Sequence, residues 1–237
     1  MLHINKVTNY HVEHELKRIR EYIVIAFYLD VLMLCMVLLS QPTVEVSGNH
    51  IVEVKKVAIT FDDGPHPIYT KELLEGLSKR NVKATFFVTG SHASENKELI
   101  LQMKADGHLI GNHTYSHMGL TNQNREVFIE ELKKTSSVIR EITEEGTVYV
   151  RPPYGVWEDA LEDELDMIPV LWTVDPLDWC RSDVEGIVQS VLHQVQEEDV
   201  ILMHDTFPSS VEATFIIVDT LLEQGYRFVT VEELLVD

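Results

Sequence analysis

A chain of 237 residues is long enough for one large α/β domain but too short for two domains of average size plus a tail. Its formal net charge is −20 and it has no cluster of Lys and Arg, which excludes a nucleic-acid partner because phosphate binding needs such a cluster. The two cysteines, Cys35 and Cys180, are too few for a disulfide framework, and neither belongs to a Cys-x-x-Cys pair that could hold zinc.

The first predicted element is a membrane-spanning helix at residues 22–39. This run is apolar except for Asp30, and its length approaches the ~20 residues that a helix needs to cross a bilayer. No Lys or Arg occurs between Arg20 and Lys55, so the positive side precedes the run. This asymmetry predicts a cytoplasmic segment at residues 1–21 and places the rest of the chain outside. Residues 40–51 are predicted to be a polar linker.

Two other interpretations of residues 22–39 stay open. One is a buried helix, although no amphipathic pattern marks one face for burial. The other is a cleaved signal peptide, although no small-x-small site follows Leu39. Asp30 counts against a membrane span, since an acidic residue at mid-membrane costs about 2.5–3.5 kcal/mol on insertion scales.

Beyond the linker, predicted strands alternate with predicted helices, which is typical of a parallel α/β layout. Short apolar runs bounded by turn residues predict strands at residues 57–61, 84–88, 108–110, 148–150, 168–174, 200–203 and 226–229. Apolar residues at helical spacing predict helices at 69–80, 95–106, 124–142 and 159–165. Capping boxes predict three later helix starts, at Ser182…Glu185, Ser209…Glu212 and Thr230…Glu233.

The polar residues that stand out in this pattern directly follow predicted strands. In a parallel α/β barrel the carboxyl ends of all strands meet at one face, where such folds build active sites. The sequence therefore predicts a single site that contains Asp62, Asp63, His113, His117, Arg151, Asp175, Asp178, His204 and Asp205.

His113 and His117 are candidate metal ligands. Four residues apart on a helical turn, two imidazoles point to the same side, and together with one carboxylate they form a common catalytic zinc site. One residue of the Asp62-Asp63 pair can complete this set while the other stays free as a base. Alone, the histidine pair is more often a surface or packing feature, and Asp-Asp-Gly-Pro fits a surface turn equally well.

Three further residues each admit two interpretations. Arg151, which precedes a rigid Pro-Pro turn, is either a surface arginine or a partner that orients a buried carboxylate. Trp179, next to Asp178, is either a core residue or a surface for the face of a sugar ring. His204, at the end of a buried strand, is either a packed core histidine or the general acid of a deacylation.

Five ordered motifs in the chain resemble those of the polysaccharide deacetylases, carbohydrate esterase family four. They are Thr60-Phe61-Asp62-Asp63-Gly64-Pro65, His113-Thr114-Tyr115-Ser116-His117, Arg151-Pro152-Pro153-Tyr154, Asp175-Pro176-Leu177-Asp178-Trp179 and Ile201-Leu202-Met203-His204. The one departure is Ile201, where the family usually has leucine. The resemblance covers about residues 52–237 and implies a catalytic domain folded as a distorted (β/α) barrel. The expected architecture is that barrel, preceded by the transmembrane helix.

The resemblance also implies a metal centre and a base. Asp63, His113 and His117 would hold one divalent ion, usually zinc, with Co²⁺, Ni²⁺ or Mn²⁺ as alternatives. Asp62 would be the general base, and Arg151 would hold it in place.

The remaining roles implied by the resemblance concern the acid and the substrate. Asp178 would brace the arginine of the third motif, and His204 would be the general acid. The backbone N–H of Tyr154 would stabilise the oxyanion. Leu202 and Trp179 would shape the acetyl pocket and the groove wall.

The activity implied is metal-dependent removal of N-acetyl groups from N-acetylglucosamine in a polysaccharide, with release of acetate. A chain anchored outside the membrane faces the cell wall, so peptidoglycan is the expected substrate. The expected protein is a monomer at the cell membrane, single-pass, with its catalytic domain extracytoplasmic. Poly-N-acetylglucosamine, chitin oligomers and acetylated xylan are alternative substrates, and a non-catalytic glycan-binding module is the alternative class.

Overall fold

The computed structural model describes residues 55–236. The predicted cytoplasmic segment at 1–21, membrane helix at 22–39 and linker at 40–51 lie outside the described residues, as does the start of the predicted catalytic domain at 52–54. Within residues 55–236, none of the helices combines the length and the apolar character that crossing a bilayer requires.

The described residues form a seven-stranded sheet in which every pairing is parallel. Its strands are β1 (Lys55–Asp62), β2 (Thr85–Val88), β3 (Leu109–Asn112), β4 (Tyr149–Val150), β5 (Ile168–Pro169), β6 (Val200–His204) and β7 (Tyr226–Phe228). Their order is β5-β4-β3-β2-β1-β6, and β7 pairs with the first residues of β1.

The sheet is curled, and its two ends meet at one point. The chain that leaves β5 returns to β6 and pairs with it through a parallel bridge between Val174 and Ile201. The predicted parallel α/β fold is therefore confirmed as a curled sheet whose closure depends on this bridge.

The strand predicted at residues 168–174 is interrupted after β5. The backbone oxygens of Val170 and Leu171 accept hydrogen bonds from Arg151 Nε and Nη2, at 2.9 and 3.2 Å. These carbonyl groups serve a buried guanidinium instead of a neighbouring strand. The chain meets β6 at Thr173, whose backbone N–H donates to Val200, and forms the bridge at Val174.

Helices connect the strands and pack on the outer face of the sheet. They are α1 (Tyr69–Lys79), α2 (Gly90–Glu95), α3 (Lys97–Ala105), α4 (Arg125–Thr143), α5 (Ala160–Leu165), α6 (Val184–Gln194), α7 (Pro208–Glu223) and α8 (Val231–Val236). The predictions for α1, α4 and α5 are correct to within one residue at each end. The helix predicted at 95–106 is confirmed as α3, which begins two residues later than predicted. Asn96 separates it from α2 and donates hydrogen bonds from its side-chain amide to the carbonyls of Pro65 and His92.

Of the three predicted capping boxes, the one at Thr230 forms. Glu233 Oε2 accepts from the Thr230 backbone N–H at 2.9 Å, and Thr230 Oγ1 accepts from the Glu233 N–H at 3.2 Å. The other two boxes are wrong because their helices begin elsewhere. Asp183 is the residue before α6, and α7 starts at Pro208, whose fixed φ suits a first helical position.

Alternation along β1 decides which of its side chains face the interior of the curled sheet. Thr60 and Asp62 point inward, where both accept hydrogen bonds from Arg151 Nη1. Asp63 follows the last residue of the strand and lies at its rim. The outward residues belong to the largest hydrophobic cluster, and they are Val57, Ile59 and Phe61.

Candidate active site and metal centre

Three of the predicted residues form a cluster with the dimensions of a metal site. One ligand atom each from Asp63, His113 and His117 lies within 4.8 Å of the other two. Asp63 Oδ1 is 3.4 Å from His113 Nε2 and 3.2 Å from His117 Nε2. This oxygen is buried without a hydrogen-bond partner, as expected of an atom whose natural partner is a cation. Two imidazoles and a carboxylate suit a divalent transition metal such as zinc.

Hydrogen bonding fixes the tautomer of His113. Its Nδ1 lies 2.6 Å from the backbone oxygen of Arg151, which can only accept, so Nδ1 carries the proton. The lone pair of Nε2 is left facing Asp63. A second nitrogen anchored in this way is the usual arrangement for a histidine that binds a metal.

The two histidines reach the site from a loop, which corrects the predicted helical turn. Thr114 and His117 have positive φ angles of 60° and 59°, which a right-handed helix does not contain. The loop is held from outside, since the backbone N–H groups of Tyr115 and Ser116 donate to Glu131 Oε2 on α4, at 3.0 and 2.6 Å. The loop geometry therefore brings the two imidazoles together.

The conformation of Asp63 depends on a residue that sequence analysis missed. Asp63 has a φ of 75°, and its backbone oxygen accepts a hydrogen bond from His92 Nδ1 at 2.7 Å. His92 lies on the exposed side of α2 and belongs to none of the motifs, so no sequence signal marks it. Burial works against the charged form of Asp63, but the nearby imidazoles, His113 foremost, outweigh it and hold its pKa below the ordinary value.

Asp62 and Arg151 form a buried ion pair beside the ligand cluster. Arg151 Nη1 donates to Asp62 Oδ1 at 2.9 Å, and the guanidinium is fully buried. The Phe87 ring lies 4.2 Å from the guanidinium carbon. Burial lowers the pKa of Arg151 and Asp62 opposes that shift, while arginine stays protonated in proteins. Asp62 Oδ2 remains directed at the cluster, 3.8 Å from His113 Nε2.

Asp178 contacts His204 and not Arg151, which corrects the role implied by the resemblance. One carboxylate oxygen of Asp178 accepts from His204 Nδ1 and the other from the His204 backbone N–H, both at 2.8 Å. The reason is the bridge between Val174 and β6, because the turn that follows it places Asp178 beside the end of that strand. The carbonyls of residues 170 and 171 brace Arg151 instead.

His204 is a strongly basic histidine beside the ligand cluster. It pairs in register with Asp62 on the neighbouring strand, so the two side chains flank the same space. Burial disfavours the imidazolium, but the hydrogen bond and negative charge of Asp178 outweigh burial and raise the pKa of His204 to about 9. His204 is therefore protonated at neutral pH. Because Nδ1 donates to Asp178, Nε2 is free to donate a hydrogen bond to a ligand.

The three predicted substrate-binding residues differ in exposure. Tyr154 is 75% exposed, and its ring lies edge-on to His117 with the centroids 5.2 Å apart. Trp179 is 53% exposed and follows Asp178 directly. Leu202, only 4% exposed, alternates with residues of β6 that pack in the outer cluster. Tyr154 and Trp179 can therefore form exposed walls of the site, and Leu202 can line its floor.

Two aspartates predicted in the site hold turns instead. Asp175 Oδ1 accepts a hydrogen bond from the Leu177 backbone N–H at 2.8 Å, which shapes the fourth motif. Asp205 is buried against the Gly64 turn and accepts a hydrogen bond from the Thr70 hydroxyl. Burial raises the pKa of Asp205 to about 7.

Gly64→Ala is expected to destabilise the domain and to weaken metal binding. A Cβ at this position would lie 2.2 Å from both carboxylate oxygens of Asp205, so the turn or the buried carboxyl group must move. Overpacking of this kind costs about 1–3 kcal/mol, and the neighbouring ligand Asp63 moves with the turn. Urea unfolding and a zinc titration measure the two effects. The double variant Gly64→Ala/Asp205→Ala lacks the clash and should cost less than the sum of the single variants, whereas additive costs would contradict the explanation.

Comparison with known proteins places this geometry among sugar deacetylases. A model of the polysaccharide deacetylase family matches residues 50–169. The chain is 38% identical over 180 residues to the peptidoglycan-N-acetylmuramic acid deacetylase PdaC of Bacillus subtilis, an alignment that covers 76% of this chain and 38% of that protein. The solved structure of PdaC matches with a TM-score of 0.74 and 37% identity, over 77% of this chain and 90% of that one.

Two further relatives extend the comparison. A peptidoglycan-N-acetylglucosamine deacetylase of Bacillus cereus is 37% identical over 201 residues, which are 81% of this chain and 92% of that protein. A structure described as a CE4 family pseudoenzyme from Bacillus anthracis matches with a TM-score of 0.72 and 31% identity, over 77% of this chain and 66% of that one. The family match takes in just over half of the chain, and one relative is matched over almost its whole length. This chain belongs to the polysaccharide deacetylase family.

Proposed function

We propose that the chain is a metal-dependent deacetylase that removes N-acetyl groups from N-acetylglucosamine residues of a polysaccharide and releases acetate. The observation that carries this proposal is the convergence of three units at one rim of the sheet. They are the Asp63–His113–His117 cluster, the Asp62–Arg151 pair and the His204–Asp178 pair.

The first two units suit the attack of water on an amide. The three-residue cluster would hold a divalent ion, for which we propose zinc, and such an ion would polarise the acetyl carbonyl and make water a better nucleophile. Asp62 is the general base of the proposal. Arg151 holds its Oδ1 in place, and its Oδ2 faces the cluster, so this oxygen is positioned to accept the proton of an attacking water.

The third unit suits departure of the amine. An amine cannot leave as an anion, so a proton must reach the sugar nitrogen as the C–N bond breaks. His204, with its pKa raised to about 9, carries that proton at neutral pH. Asp178 orients the ring through Nδ1, which leaves Nε2 to donate.

Three residues of the rim complete the proposed site. The backbone N–H of Tyr154 is the proposed donor to the oxyanion, and the tight turn that contains Tyr154 lies beside the ligand His117. Leu202 would line the acetyl pocket, and Trp179 would form the groove wall against a sugar ring.

Peptidoglycan is the proposed substrate. Its support is the Bacillus cereus relative, a peptidoglycan-N-acetylglucosamine deacetylase that is matched over 92% of its length. PdaC, of which this chain covers 38%, is described as acting on N-acetylmuramic acid, the other sugar of the same polymer. Poly-N-acetylglucosamine, chitin oligomers and acetylated xylan are the alternative substrates.

A glycan-binding module without catalysis is the second candidate. The Bacillus anthracis pseudoenzyme shares the fold, so the fold by itself does not establish turnover. Catalysis is favoured here because the proposed ligands, base and acid are all present and in contact distance of their partners.

Acetate release decides between the two candidates. The purified protein is incubated with N-acetylated and O-acetylated glycans, once with zinc and once with a chelator. The proposal expects acetate from peptidoglycan fragments with zinc, loss of that activity with the chelator, and recovery when zinc is added back. Glycan binding without acetate from any substrate would establish the binding module.

His117→Ala is expected to lose most of the bound metal and nearly all activity, because one of three protein ligands is removed. Zinc affinity should fall by at least about 100-fold, measured by competition with a chromophoric chelator. His193→Ala is the matched control, since His193 is an exposed histidine on α6 that bonds within its own helix. Equal zinc affinity in the two variants would show that the ligands are misassigned.

We also propose that residues 22–39 anchor the protein as a single-pass monomer with its catalytic domain outside the cell membrane. The support is the apolar run and the absence of Lys and Arg between Arg20 and Lys55. Cell fractionation tests this. Full-length protein in the soluble cytosolic fraction without detergent would refute the anchor.

A further inference from the structure

The rim of the proposed active site carries very little positive charge. In the loops that follow the seven strands, the described chain has two Lys or Arg residues, Arg151 and Arg181. Arg151 is fully buried and bound to Asp62. Arg181 is exposed, and no hydrogen bond or ion pair engages its guanidinium in the described part of the chain. In a protein with a net charge of −20, Arg181 is the free cation of the rim among residues 55–236.

Arg181 lines a groove that begins beside the general acid. The groove has a volume of about 570 Å³ and lies between the turn of the fourth motif and the start of α7. Two exposed aromatic residues, Trp179 at 53% and Phe207 at 37%, line it. The Phe207 ring lies edge-on to His204, with centroids 6.5 Å apart. One wall of the groove therefore lies next to the proposed general acid.

We propose that this groove is a subsite for a sugar that carries a carboxylate, and that Arg181 recognises the carboxylate. The inference rests on the proposed deacetylase function and specifies its substrate class. A sugar next to the deacetylated residue would stack on the exposed aromatic rings, because ring faces suit the apolar faces of sugars. Arg181 would accept the carboxylate in the two-pronged geometry that guanidinium and carboxylate share.

The guanidinium of Arg181 offers a carboxylate a charged partner that a neutral sugar lacks. Glu212 also lines the groove, but it forms no ion pair with Arg181, so the guanidinium keeps its donors for a ligand. A strongly acidic protein repels an anionic polymer overall, but salt screens this repulsion over distances beyond about 10 Å. The attraction between Arg181 and a carboxylate in direct contact with it is screened much less, so this one cation can make the groove prefer a glycan with a carboxylate over a neutral glycan. Neutral chitin-type oligomers would gain only the aromatic contacts.

The test compares two short glycans of equal length. One is an N-acetylglucosamine oligomer, and the other has a lactyl carboxylate on alternate sugars, as in peptidoglycan without its peptide. Acetate release gives KM for both glycans with the wild-type protein, Arg181→Gln and Arg181→Lys. Arg227→Gln is the matched control, because Arg227 is exposed on β7, which pairs with the opposite end of β1.

We define the KM ratio as the KM for the carboxylate glycan divided by the KM for the neutral glycan. Arg181→Gln is expected to raise this ratio by about 5- to 10-fold, which is the loss in affinity typical of removing an exposed, charged hydrogen-bonded pair. Arg181→Lys should restore part of the ratio, since it keeps the charge but loses the fork. Arg227→Gln should leave the ratio unchanged. An unchanged ratio in Arg181→Gln, or an equal rise in KM for both glycans, would overturn the subsite.

Binding separates failure of this inference from failure of the proposed function. Dissociation constants for the two glycans are measured by calorimetry with Asp62→Asn, with and without Arg181→Gln. A wild-type protein that releases no acetate would end the deacetylase proposal, yet the binding ratio would still decide the subsite. The subsite is supported if the carboxylate glycan binds more tightly than the neutral glycan and if Arg181→Gln removes this difference. Equal binding of both glycans overturns the subsite.

Discussion

Asp62→Asn is expected to lower the rate of acetate release by about 10²–10⁴-fold while zinc still binds. Asparagine keeps an oxygen that can accept the hydrogen bond from Arg151 Nη1, now 2.9 Å from Asp62 Oδ1. It cannot take up a proton from water, so only the proton acceptor is lost. The ligands Asp63, His113 and His117 remain, and zinc affinity should change by only a few-fold.

The stability of Asp62→Asn must be measured as a control, because the substitution also removes the negative charge that pairs with the buried guanidinium of Arg151. Arg151 is fully buried, and leaving such a charge uncompensated costs up to about 3–5 kcal/mol. Urea unfolding of the variant therefore accompanies the kinetics, and rates are expressed per folded, zinc-loaded molecule. Activity above about a tenth of the wild-type value would show that another group accepts the proton.

The convergence of the site was predictable because it depends on strand ends. Asp62, Arg151 and His204 each end or directly follow a short apolar run, and parallel strands bring their carboxyl ends to one edge. The register between β1 and β6, which pairs Asp62 with His204, then follows from the fold. Sequence pattern alone therefore locates the catalytic rim and most of its chemistry.

The partners within the site were not predictable, since they depend on contacts between distant parts of the chain. Asp178 pairs with His204 after a bridge at Val174 brings the chain to β6, and Arg151 takes the two carbonyls of residues 170 and 171 just before that bridge. The buried guanidinium of Arg151 thus interrupts a predicted strand shortly before Asp178. The spacing of apolar residues in the sequence does not indicate such a contact.

The residues that hold the ligands were also invisible in the sequence. Glu131 on α4 fixes the loop of the two histidines, and His92 on α2 holds the backbone of Asp63. His92 is exposed and Glu131 is half-buried, and at such helix positions a charged or polar residue is the ordinary expectation. Spacing of four residues correctly identified His113 and His117 as neighbours, although a loop and not a helix brings them together.

Asp178→Asn is expected to move the alkaline limb of the pH–rate profile down by at least about two pH units. Turnover requires protonated His204, so the wild-type rate should fall as pH rises through the raised pKa of about 9. Without Asp178, burial, the largest influence on His204, is opposed only by the smaller effects of Asp62 and Asp63, so we expect the pKa of His204 to fall to about its ordinary 6.5. At pH 8 the protonated fraction, and with it the rate, should drop by roughly 30-fold.

The same pair makes a pH-dependent contribution to stability. The folded pKa of His204 lies above its unfolded value, so the contribution is complete below pH 6.5 and is lost as pH rises through about 9. Unfolding free energies must therefore be measured along with the rates, so that loss of folded protein is not read as loss of catalysis. Asp178→Asn should abolish most of this pH dependence of stability.

Profiles of kcat/KM between about pH 5 and pH 10 test the assignment of the acid. Asp175→Asn is the matched control, because Asp175 belongs to the same motif but, within residues 55–236, its carboxylate bonds only to the Leu177 backbone. This variant should keep the wild-type limb. His204→Ala should lower the rate by about 10²–10⁴-fold, spare zinc binding and remove the alkaline limb from the remaining activity. If Asp178→Asn lowers the rate equally at every pH and leaves the limb in place, His204 is not the group that protonates the amine. If the alkaline limb moves in Asp178→Asn but not in Asp175→Asn, the proton for the amine comes from the His204 imidazolium. Among the described hydrogen-bond partners of the Asp178 carboxylate, the His204 imidazole is the one that titrates.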